Sequence, residues 1–163
     1  MKAMKCAECG GVMKTTRENF RHAALGLPGL ILANVEVSRC PNCGEYEVAI
    51  PHLEGLMKAI AVVLVNKPSR LAPEEVGFLR RYLGVSGVDF AKRMGVTKEQ
   101  ASRWESGKKP LGTVADRLLR LMVVNTKPVE SYSVDSLANI DDETTGPMAL
   151  RMEQGRKDWQ AAA

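Results

Sequence analysis

The chain has 163 residues, enough for one domain or two small ones. It carries 23 Lys and Arg against 19 Asp and Glu, and 45% of its residues are hydrophobic, a composition that is ordinary for a globular protein and excludes collagen, disulfide-rich frameworks and wholesale disorder. The longest apolar run, 59–65, is too short to span a membrane, and no apolar stretch follows Lys2 and Lys5 as a secretory signal requires. We therefore predict a cytoplasmic protein with no membrane partner.

Four cysteines lie in the first third of the chain as two Cys-x-x-Cys pairs: Cys6, Cys9, Cys40 and Cys43. In a reducing compartment, metal explains such pairs better than disulfides do. Four thiolates fill a tetrahedral zinc site and leave no position for water or substrate, so the pairs predict one structural zinc ion. Four buried free thiols or a redox dithiol are the alternatives. His22 and His52 are expected to be ordinary histidines, because the four ligands are already complete.

The residues between the two pairs indicate a short antiparallel sheet. Strands are predicted at 17–23 and 31–39, on either side of a Gly/Pro turn at 26–29. A domain this small buries too little apolar surface to fold unaided, so we expect its folding to be coupled to metal binding. These features predict a ribbon domain over residues 1–50.

Helical spacing of apolar residues begins after Pro51 and ends before Pro68. The apolar residues on its second face predict that this helix packs against more than one neighbour. We assign residues 51–72 to a connecting helix and a linker, the linker beginning at Asn66.

Four helices are predicted beyond this linker. The first starts at Pro73, where proline is tolerated and Glu74 and Glu75 favour the helix N-terminus, although Ala72 is a poor cap. Two capping-box-like pairs then begin the next two helices, Ser86 with Asp89 and Thr97 with Gln100, and Gly95 makes the tight turn between them. The fourth covers 113–124.

The chain after residue 127 gives a weaker signal. A short helix is predicted at 134–140, and the acidic segment that follows, with its closing alanines, is typical of a mobile tail over 141–163. The helical domain is accordingly assigned to residues 73–140.

Charge is concentrated in the middle of the chain. Residues 66–124 hold 12 basic and 6 acidic residues, a net charge of +6, whereas residues 1–65 have a net charge of +1 and residues 125–163 of −3. Such a surface attracts nucleic acid, although charge alone is equally consistent with a well-solvated helical surface.

The segment 83–110, LGVSGVDFAKRMGVTKEQASRWESGKKP, resembles the Xre-type helix-turn-helix of phage repressors. The resemblance implies that residues 98–105 form a recognition helix that enters the major groove. The whole order of a two-pair ribbon, a helix and this motif looks like the MqsA (YgiT-type) antitoxin family, on the four cysteines, CPNCGE at 40–45 and SRWESG at 102–107. That family implies a zinc domain that contacts a cognate toxin, a homodimeric domain that binds operator DNA, and autorepression.

Candidate DNA contacts follow from the exposed face expected for the recognition helix. Lys98, Gln100 and Arg103 are expected to project outward, with Arg103 and Gln100 on base edges, because these side chains bind guanine and adenine in bidentate fashion. Glu99 stands where the family's best-known member has a base-contacting asparagine, and its carboxylate suits cytosine N4. Phosphate contacts are predicted for Ser86, Lys92, Arg93, Ser102, Lys108 and Lys109.

Three further side chains near the motif have two interpretations each. Trp104 either packs between the helices, which we favour, or stacks on a base. Arg80 and Arg81 either only solvate the first helix, again the favoured interpretation, or contact DNA.

Together these features predict an α+β protein, in which a small four-cysteine zinc ribbon with a short antiparallel sheet precedes an all-α, lambda-repressor-like helix-turn-helix domain. The predicted function is a sequence-specific repressor of double-stranded operator DNA, the antitoxin of a type II toxin–antitoxin pair. A zinc-ribbon adaptor that binds proteins and a stand-alone repressor without a toxin are the alternatives. An enzyme is not expected, since the sequence has no Gly-rich phosphate loop, nucleophile elbow or paired catalytic carboxylates.

Overall fold

The computed structural model describes residues 4–127, 129 and 132–162, apart from the side chain of residue 142. Its elements, in chain order, are β1 (Lys14–Arg21), β2 (Leu30–Arg39), β3 (Tyr46–Val48), α1 (Leu53–Val65), β4 (Ser69–Arg70), α2 (Pro73–Tyr82), α3 (Gly87–Met94), α4 (Lys98–Glu105), α5 (Thr113–Thr126), a 3₁₀ helix (Val134–Asn139), β5 (Asp141–Thr145), β6 (Leu150–Gln154) and β7 (Trp159–Ala161). The predicted α+β class, with strands preceding a helical region, is confirmed. No helix in the described part of the chain has the length and apolar character needed to cross a membrane.

Strand β2 is the centre of the larger sheet. Strand β1 pairs with one edge of β2 in antiparallel fashion, and the other edge is shared by two strands. Strand β6 runs parallel to the first half of that edge, over Leu30–Ala33, and β3 runs antiparallel to the second half, over Val37–Arg39. Strand β7 then pairs with β6 and forms the outer edge.

A bulge keeps the apolar side chains of β2 on one side of the sheet. Leu30 and Leu32 are buried, and so are Val35 and Val37, although the two pairs are out of phase with a strict two-residue alternation. Asn34, between them, adopts a left-handed φ of 54°, and the β1–β2 register shifts nearby. Such an irregularity resets which face the following side chains occupy.

One continuous apolar core joins the sheet to the helices. Helix α1 contributes Leu56, Ile60 and Leu64 to it, and the same cluster extends from Leu30 of β2 to Val123 of α5. The predicted packing of α1 against more than one neighbour is confirmed, because α1 contacts β6 and β7 as well as α2 and α5. The ribbon and the helical region therefore do not have separate apolar cores.

Two predictions about the less regular segments are wrong. The expected linker is packed inside the protein, since Lys67, Leu71 and Ala72 are all buried. The expected mobile tail forms β5, β6 and β7 over the described residues 141–162, with Leu150, Met152 and Trp159 buried; residue 163 lies outside the described residues. The acidic composition of the tail concealed these three large apolar side chains, for which β2 and α1 provide a partner surface.

Candidate metal centre and nucleic-acid interface

The two cysteine pairs form two turns with the same backbone geometry. In the first, the N–H of Gly10 donates to the carbonyl oxygen of Cys6 (2.9 Å), and in the second the N–H of Gly44 donates to that of Cys40 (3.0 Å). Both glycines have left-handed backbone, with φ values of 70° and 79°, which glycine adopts without steric cost. We call these turns, residues 6–11 and 40–45, the two knuckles.

The knuckles bring four sulfur atoms together. All four Sγ atoms lie within 4.8 Å of one another, and cross-pair distances are 3.5 Å between Cys6 and Cys43 and 3.4 Å between Cys9 and Cys40. A tetrahedral ion with Zn–S bonds of about 2.3 Å places its sulfurs about 3.8 Å apart, whereas a disulfide requires about 2.05 Å. Among the described residues, neither histidine belongs to this cluster. The donor set therefore fits one soft tetrahedral cation.

The surroundings of the sulfurs shift the pKa values of two thiols in opposite directions, down for Cys40 and up for Cys43. Backbone N–H groups of Cys43 and Asn42 lower the pKa of Cys40 to about 6. For Cys43, the N–H of Glu45 lowers the pKa, but hydrogen bonds with the three neighbouring thiols raise it to about 12. A divalent cation at the centre of the cluster would favour the thiolate form of all four.

Gly11 is a residue of this site that the sequence analysis missed. A Cβ atom at Gly11 would lie 2.6 Å from Nδ2 of Asn42 and 3.4 Å from Sγ of Cys9. A side chain at this position would displace the end of the Asn42 side chain, so Gly11 leaves room for Asn42 between the two knuckles. The signal in the sequence is the Gly-Gly doublet that follows Cys9.

Helices α3 and α4 pack closely, as the motif predicted. Phe90, Ala91 and Met94 of α3 are buried, as is Ala101 of α4. Trp104 is buried in the same cluster, which confirms the packing interpretation of its indole.

The predicted caps set the ends of the two helices. The hydroxyl of Ser86 accepts the N–H of Asp89 (3.1 Å), and the hydroxyl of Thr97 accepts the N–H of Gln100 (3.2 Å). Gly95 between the helices has a φ of 68°. At α2, whose cap residue is alanine, the Glu75 carboxylate compensates by accepting the Ala72 N–H (2.7 Å).

The outward face of α4 differs from the predicted one at Gln100. At 100° per residue, Glu99 and Arg103 occupy the middle of the exposed face, with Lys98 and Ser102 toward α3. Gln100 is half-buried and lines a groove with Trp104 and residues of α5. It therefore lies at the margin of the face, because its neighbour Ala101 and Trp104 turn the adjacent side of α4 inward.

The other predicted contact residues are at the surface. The side chains of Ser86, Lys92, Arg93, Lys108 and Lys109 are exposed. The Ser86 hydroxyl also donates to the Asp89 carboxylate (2.7 Å).

The two arginines at the end of α2 hold other elements in place, so the expectation that they only solvate the helix is wrong. Arg80 makes a two-point ion pair with Glu105 at the end of α4, at 2.6 and 3.1 Å, and donates to the carbonyl of Val85 (2.9 Å). Arg81 donates to the carbonyl of Leu25 in the loop after β1 (3.0 Å). Neither partner was predictable from the sequence, because neither lies at helical spacing from its arginine.

Comparison with known families agrees with this geometry. Residues 69–125, about a third of the chain, match a helix-turn-helix family. No curated protein and no solved structure matches the chain. Residues 69–125 therefore contain a helix-turn-helix domain of the Xre type, and a four-cysteine cluster precedes it.

Proposed function

We propose that the protein is a sequence-specific transcriptional repressor that reads operator DNA with α4. The observation that carries this proposal is the outward presentation of α4: Ala101 and Trp104 anchor it, while Lys98 and Arg103 face solvent. The net charge of +6 over residues 66–124 supplies attraction to phosphates.

The exposed face suggests separate roles for its side chains. Arg103 makes bidentate contacts with guanine, and Glu99 accepts from cytosine N4 while repelling phosphate. Gln100 reads a base only at the flank of the helix. The phosphate contacts, which position the helix without reading sequence, are Lys92, Arg93, Lys98, Ser102, Lys108 and Lys109. Ser86 is not among them, because its hydroxyl proton is donated to Asp89.

Fluorescence anisotropy with DNA from upstream of the protein's own gene tests this proposal. Arg103→Ala should cost about 1 to 3 kcal/mol on the operator and relax specificity at one base pair. Lys109→Ala is the matched control, because loss of one phosphate contact should lower the slope of log affinity against log salt by about 0.9 without changing specificity. An equal loss for Arg103→Ala on random DNA would show that Arg103 only touches phosphate.

A homodimer belongs to the same proposal. Val114 and Leu118 of α5 are 80% and 37% exposed, and they border the groove of about 440 Å³ that Gln100 also lines. A second copy on this face would remove apolar surface from water beside the recognition helix, and a dimer that reads a palindrome spaces its recognition helices by about 34 Å. Val114→Asp should yield monomers by light scattering, whereas Val88→Asp, at an exposed valine of α3, should not.

We propose zinc as the ion of the four-cysteine cluster. Four sulfur donors and no oxygen or histidine ligand suit zinc in a closed, structural site. Metal analysis of protein purified without added metal should find one zinc per chain, and iron in its place would refute the assignment.

The antitoxin role rests on the resemblance to the MqsA family, in which the ribbon contacts a toxin. A neighbouring toxin gene, or a small basic protein that co-purifies from the native cell, would support it. Operator binding without such a partner would favour a stand-alone repressor. No DNA binding even at about 50 mM salt would favour a protein-binding adaptor. In each case we propose a cytoplasmic binding protein rather than an enzyme.

A further inference from the structure

Residues 66–72 connect α1 to α2, and we call this segment the joint. Two buried ion pairs lie beside it. Lys67 pairs with Glu75 (2.7 Å; side chains 3% and 1% exposed), and Arg120 pairs with Asp116 (2.7 Å; both 1% exposed). A buried charge is costly unless its partners satisfy it, so the remaining partners of these groups matter.

The Arg120–Asp116 pair is satisfied by the joint itself. Arg120 donates to the carbonyls of Val65 (3.1 Å), Lys67 (2.6 Å) and Ser69 (2.7 Å). The second oxygen of Asp116 accepts the N–H of Leu71 (2.7 Å). This pair therefore connects α5 to the joint without help from the end of the chain.

The Lys67–Glu75 pair depends on the C-terminal strap, by which we mean residues 141–162. The ammonium of Lys67 also donates to the carbonyl of Gly146, and the second oxygen of Glu75 accepts the N–H of Met148 (2.7 Å). At the beginning of the strap, the N–H of Asp141 donates to the carbonyl of Pro68 (2.8 Å). The strap thus completes a buried pair at the base of the helix-turn-helix.

The strap is fixed at its other end to the ribbon sheet. Leu150, Met152 and Trp159 are buried, and β6 pairs with only the first half of the β2 edge. The indole N–H of Trp159 donates to the carbonyl of Pro51 (2.8 Å), just before α1. The strap therefore contacts both halves of the molecule, the helix-turn-helix through hydrogen bonds and the ribbon through strand pairing and apolar packing.

We propose that the C-terminal strap is a latch, which holds the helix-turn-helix against the ribbon sheet and opens as a unit while α2–α5 and β1–β2 stay folded. Opening removes two partners of the buried Lys67–Glu75 pair at the moment that it uncovers β2, so the joint loosens with the strap. The helices keep their own packing and caps, which the strap does not provide. Proteins open in contiguous cooperative units at free energies below that of global unfolding, and opening of the strap loosens one of the attachments between the helix-turn-helix and the ribbon.

Hydrogen exchange on the full chain tests the latch. Trp159→Ala should accelerate exchange at least about tenfold over residues 146–162 and at the amide of Ala72, whose N–H donates to Glu75. The α3 and α4 amides should change less than about twofold, and so should the Leu71 amide, which donates to Asp116. Gln160→Ala is the matched control, because Gln160 is on the same strand but exposed, and it should change none of these rates.

Two results would overturn the proposal. One is faster exchange of α3 and α4 in step with the strap, which would make the protein a single cooperative unit. The other is an open strap with unchanged exchange at Ala72, which would mean that the two ends are not linked.

Trp159→Phe covers the case in which Trp159→Ala fails to fold. It keeps an aromatic ring but loses the N–H bond to Pro51, and it should give the same pattern with smaller increases. Global unfolding of both variants would also overturn the latch. The exchange pattern does not depend on DNA binding, so a wild-type chain that fails to bind DNA would refute the proposed function alone.

Discussion

The knuckle end of the ribbon and the helix-turn-helix use the same local device but differ in what holds them together. Both turn the chain at left-handed glycines, Gly10 and Gly44 in one and Gly95 in the other. The buried cluster at the knuckles contains only Cys6, Met13 and Cys40 among the described residues, whereas the helices contribute to the large core. Packing can hold α3 and α4 in place, but an ion must provide most of the cohesion of the knuckles.

Because of this difference, we expect only the two knuckles, and not all of residues 1–50, to depend on metal for folding. Leu30, Leu32, Val35 and Val37 of β2 belong to the large core rather than to the knuckle cluster. We therefore expect the loss of metal to melt the two knuckles and to leave the buried side of β2 in place.

Cys40→Ser should have the largest effect, and the effect should be local. Removal of one of four thiolates should abolish stoichiometric metal binding, because zinc affinity in such sites supplies on the order of 10 kcal/mol. Exchange should rise at residues 4–13 and 40–45, while DNA binding by α4 stays within about twofold of wild type. Mass spectrometry for metal content and hydrogen exchange check both parts.

Glu8→Gln, in the exposed middle of the first knuckle, is the control for this variant and should keep its metal. Retention of a full equivalent of metal by Cys40→Ser would contradict the assignment of ligands. Loss of DNA binding in step with the metal would show that the two regions are more strongly coupled than their cores indicate.

Phe90→Ala should destabilise the helices and leave the metal site intact, the reverse of Cys40→Ser. Phe90 is fully buried in α3, and its truncation should lower the free energy of unfolding by about 3 to 5 kcal/mol and abolish DNA binding. Metal content should stay at one equivalent, because the sulfurs do not depend on this core. Denaturant unfolding measures the first effect, with Val88→Ala, an exposed residue of the same helix, as the control near zero.

Glu105→Gln should have an intermediate effect on stability. It weakens the two-point ion pair with Arg80 that holds the end of α4 against α2. Both side chains are about a fifth exposed, so we expect a loss of about 1 to 2 kcal/mol in the free energy of unfolding. Glu99→Gln on the same helix is exposed and should change the free energy by less than about 0.5 kcal/mol. If thermal or denaturant unfolding showed that both variants lower the free energy of unfolding equally, the Arg80–Glu105 pair would have no role in positioning α4.

Arg17→Ala should have the smallest effect. Arg17 and Glu36 pair across β1 and β2 at 2.8 Å, but both side chains are at least half exposed. Exposed pairs contribute about 0 to 1 kcal/mol and are screened by salt. A larger loss that disappears at about 1 M salt would show that the sheet depends on its surface charges, whereas a loss that persists there would come from packing of the Arg17 side chain and not from the ion pair.

Interactions between residues close together in the chain were predictable from the sequence, whereas most of those between distant residues were not. The caps at Ser86 and Thr97 and the turn at Gly95 involve residues within a few positions, so their spacing alone indicates them. The four cysteines are far apart in sequence, but the chemistry of paired thiols made their convergence predictable. Arg80 and Glu105 are 25 residues apart, and nothing in their local sequence distinguishes them from solvated charges.

Short-range rules of capping, turn geometry and ligand spacing specify the helix-turn-helix and the two knuckles, so both were predictable from the order of residues. The course of the last twenty or so residues and the burial of Lys67 and Glu75 depend on contacts between distant segments and became evident only in the folded chain. Strand β6 pairs with a strand more than a hundred residues earlier, and a buried ion pair forms only where distant segments meet and satisfy it. Those choices depend on which apolar edge and which backbone groups the rest of the fold leaves available.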